Sequence, residues 1–385
     1  MCHDSWRKYK PELLETFSEH AGKVGLESGD LWQGNQSVLI SCGLMLQFGY
    51  PLREIYERML ASSGEFRRHN NELLWKQATI LVATCERLTG YRASGDPYPV
   101  DEVCKPGFSE SVHGDNPQLI EEEVCGYHYI PDYILGRYQE ANEWLKKSAA
   151  IIALRPTDII NTHHFTYEAL VWAQLFEELP SKEQRACWSG LRERLKRIHV
   201  FAKRCPESYW HKYLLIKAEM ARLKRKSRQA EQLYSQSIEW ARTYGLIHDV
   251  AIAAECCGKY GISQGKLHLA KIYLTEAYES YLQWGANVKA ADMEQQYVHL
   301  LNIKRESGIE RIDYSSVAQS AQAMSGEMEM GNLLDTMMRT MLQNAGADFG
   351  ALLFEEDGLS KCLERQRSLT SDPSRLSLSL LSSII

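Results

Sequence analysis

Apolar positions recur at spacings of three and four along most of this chain, the period of helices that bury one face. The clearest stretch runs from Ser208 to Leu301. Shifted by about 40 positions, Ala230, Tyr234, Ile238, Ala241, Tyr244 and Gly245 fall on Ala270, Leu274, Tyr278, Tyr281, Trp284 and Gly285, and Ala251 falls on Ala291. Self-similarity of this kind predicts stacked helical hairpins, because one helix pair cannot bury its apolar face alone. Earlier segments read as divergent copies. The pattern predicts helices over Pro11–Glu27, Leu31–Phe48, a segment started by Pro51, and one capped by Asn70 or Asn71 and running to Leu88. Further helices are expected over Pro117–Leu135, from Gly136 to Pro156, over Thr162–Glu178, and over Ser181–Arg204 with Pro180 and Ser181 as break and cap. The last runs from Asn287 to about Ile303.

Two stretches depart from this period. Between Gly90 and Pro117 the turn formers Gly95-Asp96-Pro97, Pro106-Gly107 and Gly114-Asp115-Asn116-Pro117 dominate, which predicts a long loop and a mobile excursion. After a polar linker at 302–316 the pattern changes again. Val317, Ala321 and Met324 form one amphipathic stripe, and Leu333, Leu334, Met337, Met338, Met341 and Leu342 form another. Phe349–Phe354 then reads as a strand, Glu355-Glu356-Asp357-Gly358 as a turn, and Leu359–Arg365 as a second strand. Helix, helix, strand, turn, strand is the beginning of an α/β domain. The Ser- and Leu-rich tail at 368–385 does not continue it and reads as disordered or frame-shifted, with the domain cut off. The expected fold class is therefore mostly α: an α-α superhelix of TPR-like hairpins over 1–301, with a loop at about 90–117. A linker at 302–316 and an incomplete α/β segment at 317–367 follow.

Composition narrows the function. The 385 residues are 44% hydrophobic and 24% charged, with 20 Tyr and 9 Trp, enough for a large core. A net charge of -6 gives no general attraction to nucleic acid or anionic membrane. Ten cysteines show no Cys-x-x-Cys pair, as expected of reduced core thiols in a cytoplasmic protein. The polar start lacks a signal-peptide core, and the most apolar run, Val38–Phe48, is shorter than the ~20 residues of a membrane span.

The residues that suggest chemistry have plain structural readings. Asp348-Phe349-Gly350 spells the kinase magnesium tripeptide, but no catalytic loop stands upstream. The basic residues of 192–204 and 217–228 interleave with Leu191, Leu195, Ile198 and Phe201, the pattern of a solvated face over a core stripe, with an acidic partner protein as the alternative. His163 and His164 are adjacent, so on a helix they diverge by about 100° and make a poor metal site with or without His128. Trp144, Trp172, Trp188, Trp210, Trp240 and Trp284 recur at hairpin ends as packing residues or as partner anchors on a concave groove. No catalytic, cofactor-binding or metal-ligating residue is assigned.

Three segments carry a family resemblance. The run Asp313–Asp348 resembles the segment leading into the GAF domain of very large signalling proteins. Those proteins join a serine/threonine-kinase-like domain, an AAA-type ATPase, a helical-repeat region, a GAF domain and a histidine kinase. Trp210–Glu219, Ala230–Gly245 and Tyr281–Ala286 look like the repeat region of the same family. The likeness spans about His164 to Asp348, extends more weakly over Leu31–Leu88 and is absent after Arg367. It implies that every catalytic part lies outside these residues, since no His-Arg-Asp loop, phosphate loop or histidine-kinase ATP lid is present. The expected function is a non-catalytic interaction and relay scaffold of a two-component signalling ATPase/histidine kinase. It would contact protein partners or flanking domains, with no nucleic acid and no membrane insertion. The alternative is a repeat domain that binds a small inducer under the loop 90–117, as in transcription regulators.

Overall fold

The computed structural model describes residues 14, 20–68, 72–95, 97–103, 108, 117–152, 160–301, 349–356 and 359–367. Contacts divide the chain into two units, Met1–Ile303 and Lys304–Ile385.

The first unit is built from helical hairpins. A short helix α1 (Gly22–Glu27) leads into α2 (Leu31–Gln47), α3 (Leu52–Arg68) and α4 (Glu72–Thr89). Four hairpins follow: α5 (Pro117–Ile134) with α6 (Tyr138–Ile152), α7 (Ile160–Leu175) with α8 (Ser181–Arg204), α9 (Pro206–Leu223) with α10 (Ser227–Thr243), and α11 (Ile247–Ser263) with α12 (Leu267–Trp284). The segment expected to close the array as one helix is two, α13 (Asn287–Gln296) and α14 (Val298–Leu301), broken at Tyr297.

Local chemistry explains the boundaries. The Asp30 side chain accepts a bond from the Gln33 amide at 3.2 Å and starts α2. Pro180, not Ser181, is the N-cap of α8, with no side-chain cap bond; Ser181 is already helical. Residues 69–71, where Asn70 and Asn71 were expected to cap α4, lie outside the described set, as do most of 11–19. The late hairpins share one turn. Leu246, Lys266 and Ala286 donate their amides to Ala241, Gly261 and Tyr281 at 2.9, 2.9 and 2.8 Å, around a residue of positive φ. Arg225 takes this conformation at the α9–α10 turn, the only non-glycine residue to do so among those described.

The forty-residue register is visible in the packing. Ala230, Tyr234, Ala241, Ala270, Leu274, Tyr281 and Trp284 are all buried. At its end the register slips: Ala290 is buried while Ala291, the match of Ala251, is half-exposed. The reason is that α13 packs on α4 rather than on a further repeat. Gly258 marks the closest approach of α11 and α12, where a Cβ would stand 2.6 Å from Leu274.

That contact of α13 with α4 is the main departure from an open array. The inner helices of the late hairpins touch the early ones. Tyr133 of α5 lies 3.6 Å from Cys256 of α11, and Lys259 donates to the Tyr138 hydroxyl at 3.0 Å. At Gly49 (φ +75), just after α2, an added Cβ would lie 2.3 Å from His248 Nδ1 of α11. One apolar cluster therefore runs from Leu39 to Leu301.

The loop after α4 is not a loose excursion where it is described. Tyr98, Val100, Val103 and Phe108 are buried. The Tyr98 ring stacks on Trp75 at 4.5 Å and its hydroxyl donates to Met59 O at 2.8 Å. Few apolar residues separate the turn formers, but Tyr98, Val100, Val103 and Phe108 among them reach the core.

In the second unit β1 (Phe349–Glu356) and β2 (Leu359–Arg367) pair antiparallel, with a register shift between Leu352 and Leu353. Both strands extend about two residues past their expected ends. The linker 302–316, the stripes of 317–348 and the tail 368–385 lie outside the described residues; of 317–367 this hairpin is what the structure describes.

The close approach at Gly49 yields a paired prediction. Gly29 has nearly the same φ, +77, but nothing within 4 Å of an added Cβ. Gly29→Ala should cost about 1–2 kcal/mol, the strain of a left-handed alanine. Gly49→Ala should cost about 3 kcal/mol or more, because the methyl also displaces His248. Urea unfolding of both variants checks this; equal losses would mean that α2 does not seat against α11.

Candidate functional site

The helices that face inward, α7, α9 and α11, are buried on most sides yet carry charge. On α11, Asp249 is buried against α9. Both of its oxygens accept from Lys212 Nζ, at 2.8 and 2.7 Å, and Oδ2 also lies 2.7 Å from His211 Nε2 and 3.4 Å from His248 Nε2. An ionised carboxylate only accepts, so His211 presents its Nε2–H to it. Burial pushes the Asp249 carboxyl up, but the charges of His248, Lys212 and His211 outweigh it and hold the group well below its usual range.

Two turns further along α11, Glu255 is held in the same way. Lys259 and Lys289 both reach Oε1 at 2.7 Å, and the Tyr281 hydroxyl donates to Oε2 at 2.8 Å. Burial raises this carboxyl, yet the two lysines bring it down to about 2. On α9, Glu219 accepts from Tyr234 at 2.6 Å and from Arg222 at 2.9 Å. On α7, Glu168 pairs with Arg194 of α8. Asp249 ties the α11–α12 hairpin to α9 and Glu255 ties it to α13, whereas Glu219 and Glu168 are paired within their own hairpins.

The residues singled out by sequence go to separate places. His164 lies 3.0 Å from Ser148, and its ring meets Tyr129 edge-on. His163 is buried in a different setting, where burial and the Lys212 charge hold it well below its usual pKa. Burial and Arg194 push His164 down to about 3. His128 stacks on Trp144 at 4.2 Å and accepts from Arg87, and burial with the Arg87 charge lowers it to about 4. The three histidines are not brought together, and no metal-ligating group of three occurs among the described residues. Phe349 opens β1, while Asp348 of the kinase-like tripeptide lies outside the described residues.

Of the tryptophans, Trp284 is buried beside His248, whereas Trp144, Trp172, Trp188, Trp210 and Trp240 are half-buried. Trp144 and Trp210 pack on the main apolar cluster, and Trp172 and Trp188 on a second one. Nor are the basic helices a uniformly solvated face. Arg194 and Arg222 turn inward to Glu168 and Glu219, and the remainder stay outside. Sequence reasoning missed Lys212, Asp249, Glu255 and Lys289. The sign was available: charged residues stand at positions the helical period assigns to the core.

A cavity of about 340 Å³ opens between α4, α5 and the loop, lined by Ile80, Ala83, Arg87, Val100, Val103 and His128 among others. Arg87 at its wall is anchored by Asp132 of α5.

The buried histidines set an acid limit. A native value below the usual 6.5 means that the unfolded chain takes up the proton first as pH falls. Stability is therefore full above pH 6.5 and lost by up to about 1.4 kcal/mol per pH unit for each of His128 and His164, until pH nears 4 and 3. Glu255 adds a second loss below its usual 4.5, complete near 2. Urea midpoints measured from pH 7.5 down to 4 should decline from about 6.5; a flat profile to 4.5 would show these histidines to be solvated.

Comparison with known proteins agrees with this architecture. A family model described as CHK1-like, TPR repeats matches residues 123–272, from within α5 into α12. No curated protein matches the chain. The matched stretch ends well before Asp313–Asp348, on which the GAF resemblance rests. No helix among the described residues is long and apolar enough to cross a membrane. Residues 123–272 are similar to CHK1-like TPR repeats, and repeats of this kind serve as surfaces for protein–protein contact.

Proposed function

We propose that this chain is a non-catalytic interaction scaffold that relays signals within a multidomain ATPase/histidine-kinase assembly. The carrying observation is the hairpin stack whose repeats match TPR repeats over 123–272. The buried acids Asp249 and Glu255 hold α11 in register with α9 and with α13. Such a body transmits strain as a unit, because a shift of one hairpin disturbs an ion pair with the next. The GAF resemblance of 313–348 supports a sensor downstream of the stack.

Co-expression tests this reading. The chain, made together with the polypeptides encoded on either side of its gene, should co-purify with at least one of them in fixed stoichiometry. Robust ATP turnover or autophosphorylation by the chain alone would overturn it.

The cavity beside the loop favours a second reading, a binding site for a small inducer. A compound of that kind should raise the melting temperature saturably, and Ala83→Phe, which fills the cavity, should abolish the shift. A shift unchanged in that variant would place the compound elsewhere.

A further inference from the structure

On the outside of the array, α8 and α9 run antiparallel and carry two facing rows. On α8 the spacing of three and four puts Arg185, Arg192, Lys196, His199 and Lys203 on one narrow stripe. On α9 the facing row is Trp210, Tyr213, Lys217 and, just past the helix, Lys224. Ring contacts tie the rows together. Arg192 and Lys224 lie 5.8 and 4.9 Å from the Trp188 ring centre. His199 stacks on Tyr213 at 4.5 Å, and Lys217 lies 5.1 Å over the same ring.

The six cations Arg185, Arg192, Lys196, Lys203, Lys217 and Lys224 form no ion pair among the described residues. The nearby Glu193 is taken by Arg197 at 2.6 Å and Arg194 at 3.4 Å. Other cations are paired, as Lys266 is with Glu231, Arg242 with Glu276 and Lys289 with Glu255, or stand singly, as Lys271 does; here six unpaired cations are gathered along one seam.

We propose that this seam is a docking surface for an acidic, extended protein segment. The proposal rests on the scaffold reading and names the chemistry of the partner. From Arg185 to Lys203 the stripe spans about 27 Å at 1.5 Å per residue. An extended chain of about eight residues covers that length at ~3.3 Å each, with carboxylates facing the cations. Burial of the charged groups inside the array leaves the inner face no free charge to offer such a segment, whereas the outer seam has charge to spare. The rings argue against single-stranded nucleic acid. Base stacking needs an open aromatic face, and here Trp188 and Tyr213 already carry cations or His199 over theirs. The net charge of -6 also works against a long polyanion.

The test uses the full chain and a fluorescein-labelled peptide of alternating Asp and Glu, about ten residues long. Anisotropy should show binding at about 20 mM salt that weakens steeply toward about 300 mM, with no binding of the Asn/Gln analogue. The triple variant Lys196→Glu, Lys203→Glu, Lys217→Glu should bind at least about 30-fold more weakly. The corresponding triple change to Gln should fall between it and the parent, and Lys271→Glu on α12 should bind as the parent does. All of these sites lie on the surface, so circular dichroism should not change. The proposal is overturned by no peptide binding at low salt, by binding that the triple reversal leaves intact, or by oligo-dT or phosphatidylserine vesicles binding more tightly than the peptide. If the reversed chain still co-purifies with its neighbouring gene products, the scaffold reading stands and this surface alone falls.

Discussion

Asp249 is the constraint around which the first unit is arranged. A carboxylate removed from water costs several kcal/mol unless it is fully paired. Here Lys212 supplies the charge and His211 a further donor, both from the neighbouring inner helix. The distance and rotation between α9 and α11 are therefore set by hydrogen-bond geometry as well as by apolar packing. The α2–α3 turn is in turn fitted to His248, beside Asp249, where Gly49 leaves no room for a side chain. Glu255 repeats the device one step on and draws in α12 and α13 through Tyr281 and Lys289.

These networks change what a helical-repeat array offers its surroundings. An open superhelix presents a concave surface rich in unpaired polar groups. In this chain the early helices pack against the late inner ones and one core spans both. Buried charge becomes an internal fastening, and the cations beside Asp249 and Glu255 hold those carboxyls below their usual range. Burial pushes Cys42 and Cys257 up to about 12 and Cys187 up to about 11, so the nucleophilic thiolate is suppressed. Unpaired cations stay outside, six of them together on the seam of α8 and α9.

Much of the fold was legible because helix formation is local. The period of three and four, the prolines at 51 and 180 and the glycines at 245 and 285 place most helices within two residues. The forty-residue register alone marks Ala230, Tyr234, Ala270 and Leu274 as core, and all four are buried. The loop after α4 was misread for a related reason. Turn formers are a local signal, but Tyr98 and Phe108 are anchored by partners far along the chain. The division of the basic helices into Arg194 and Arg222 inside, and Arg192 and Lys196 outside, likewise depends on acids contributed by other helices.

The amino-acid sequence by itself determined the hairpins, their turns and their repeat, because each follows from hydrogen bonds and apolar spacing within about forty residues. Only the tertiary structure decided that the array closes α13 onto α4, that Asp249 and Glu255 find their partners inside, and that six unpaired cations gather on the α8–α9 seam. The physical reason is that a charged residue on a helical stripe carries no local mark of its partner. Lys212 and Asp249 stand 37 positions apart and Lys289 and Glu255 stand 34 apart, and only the stacking of whole hairpins brings them within 3 Å.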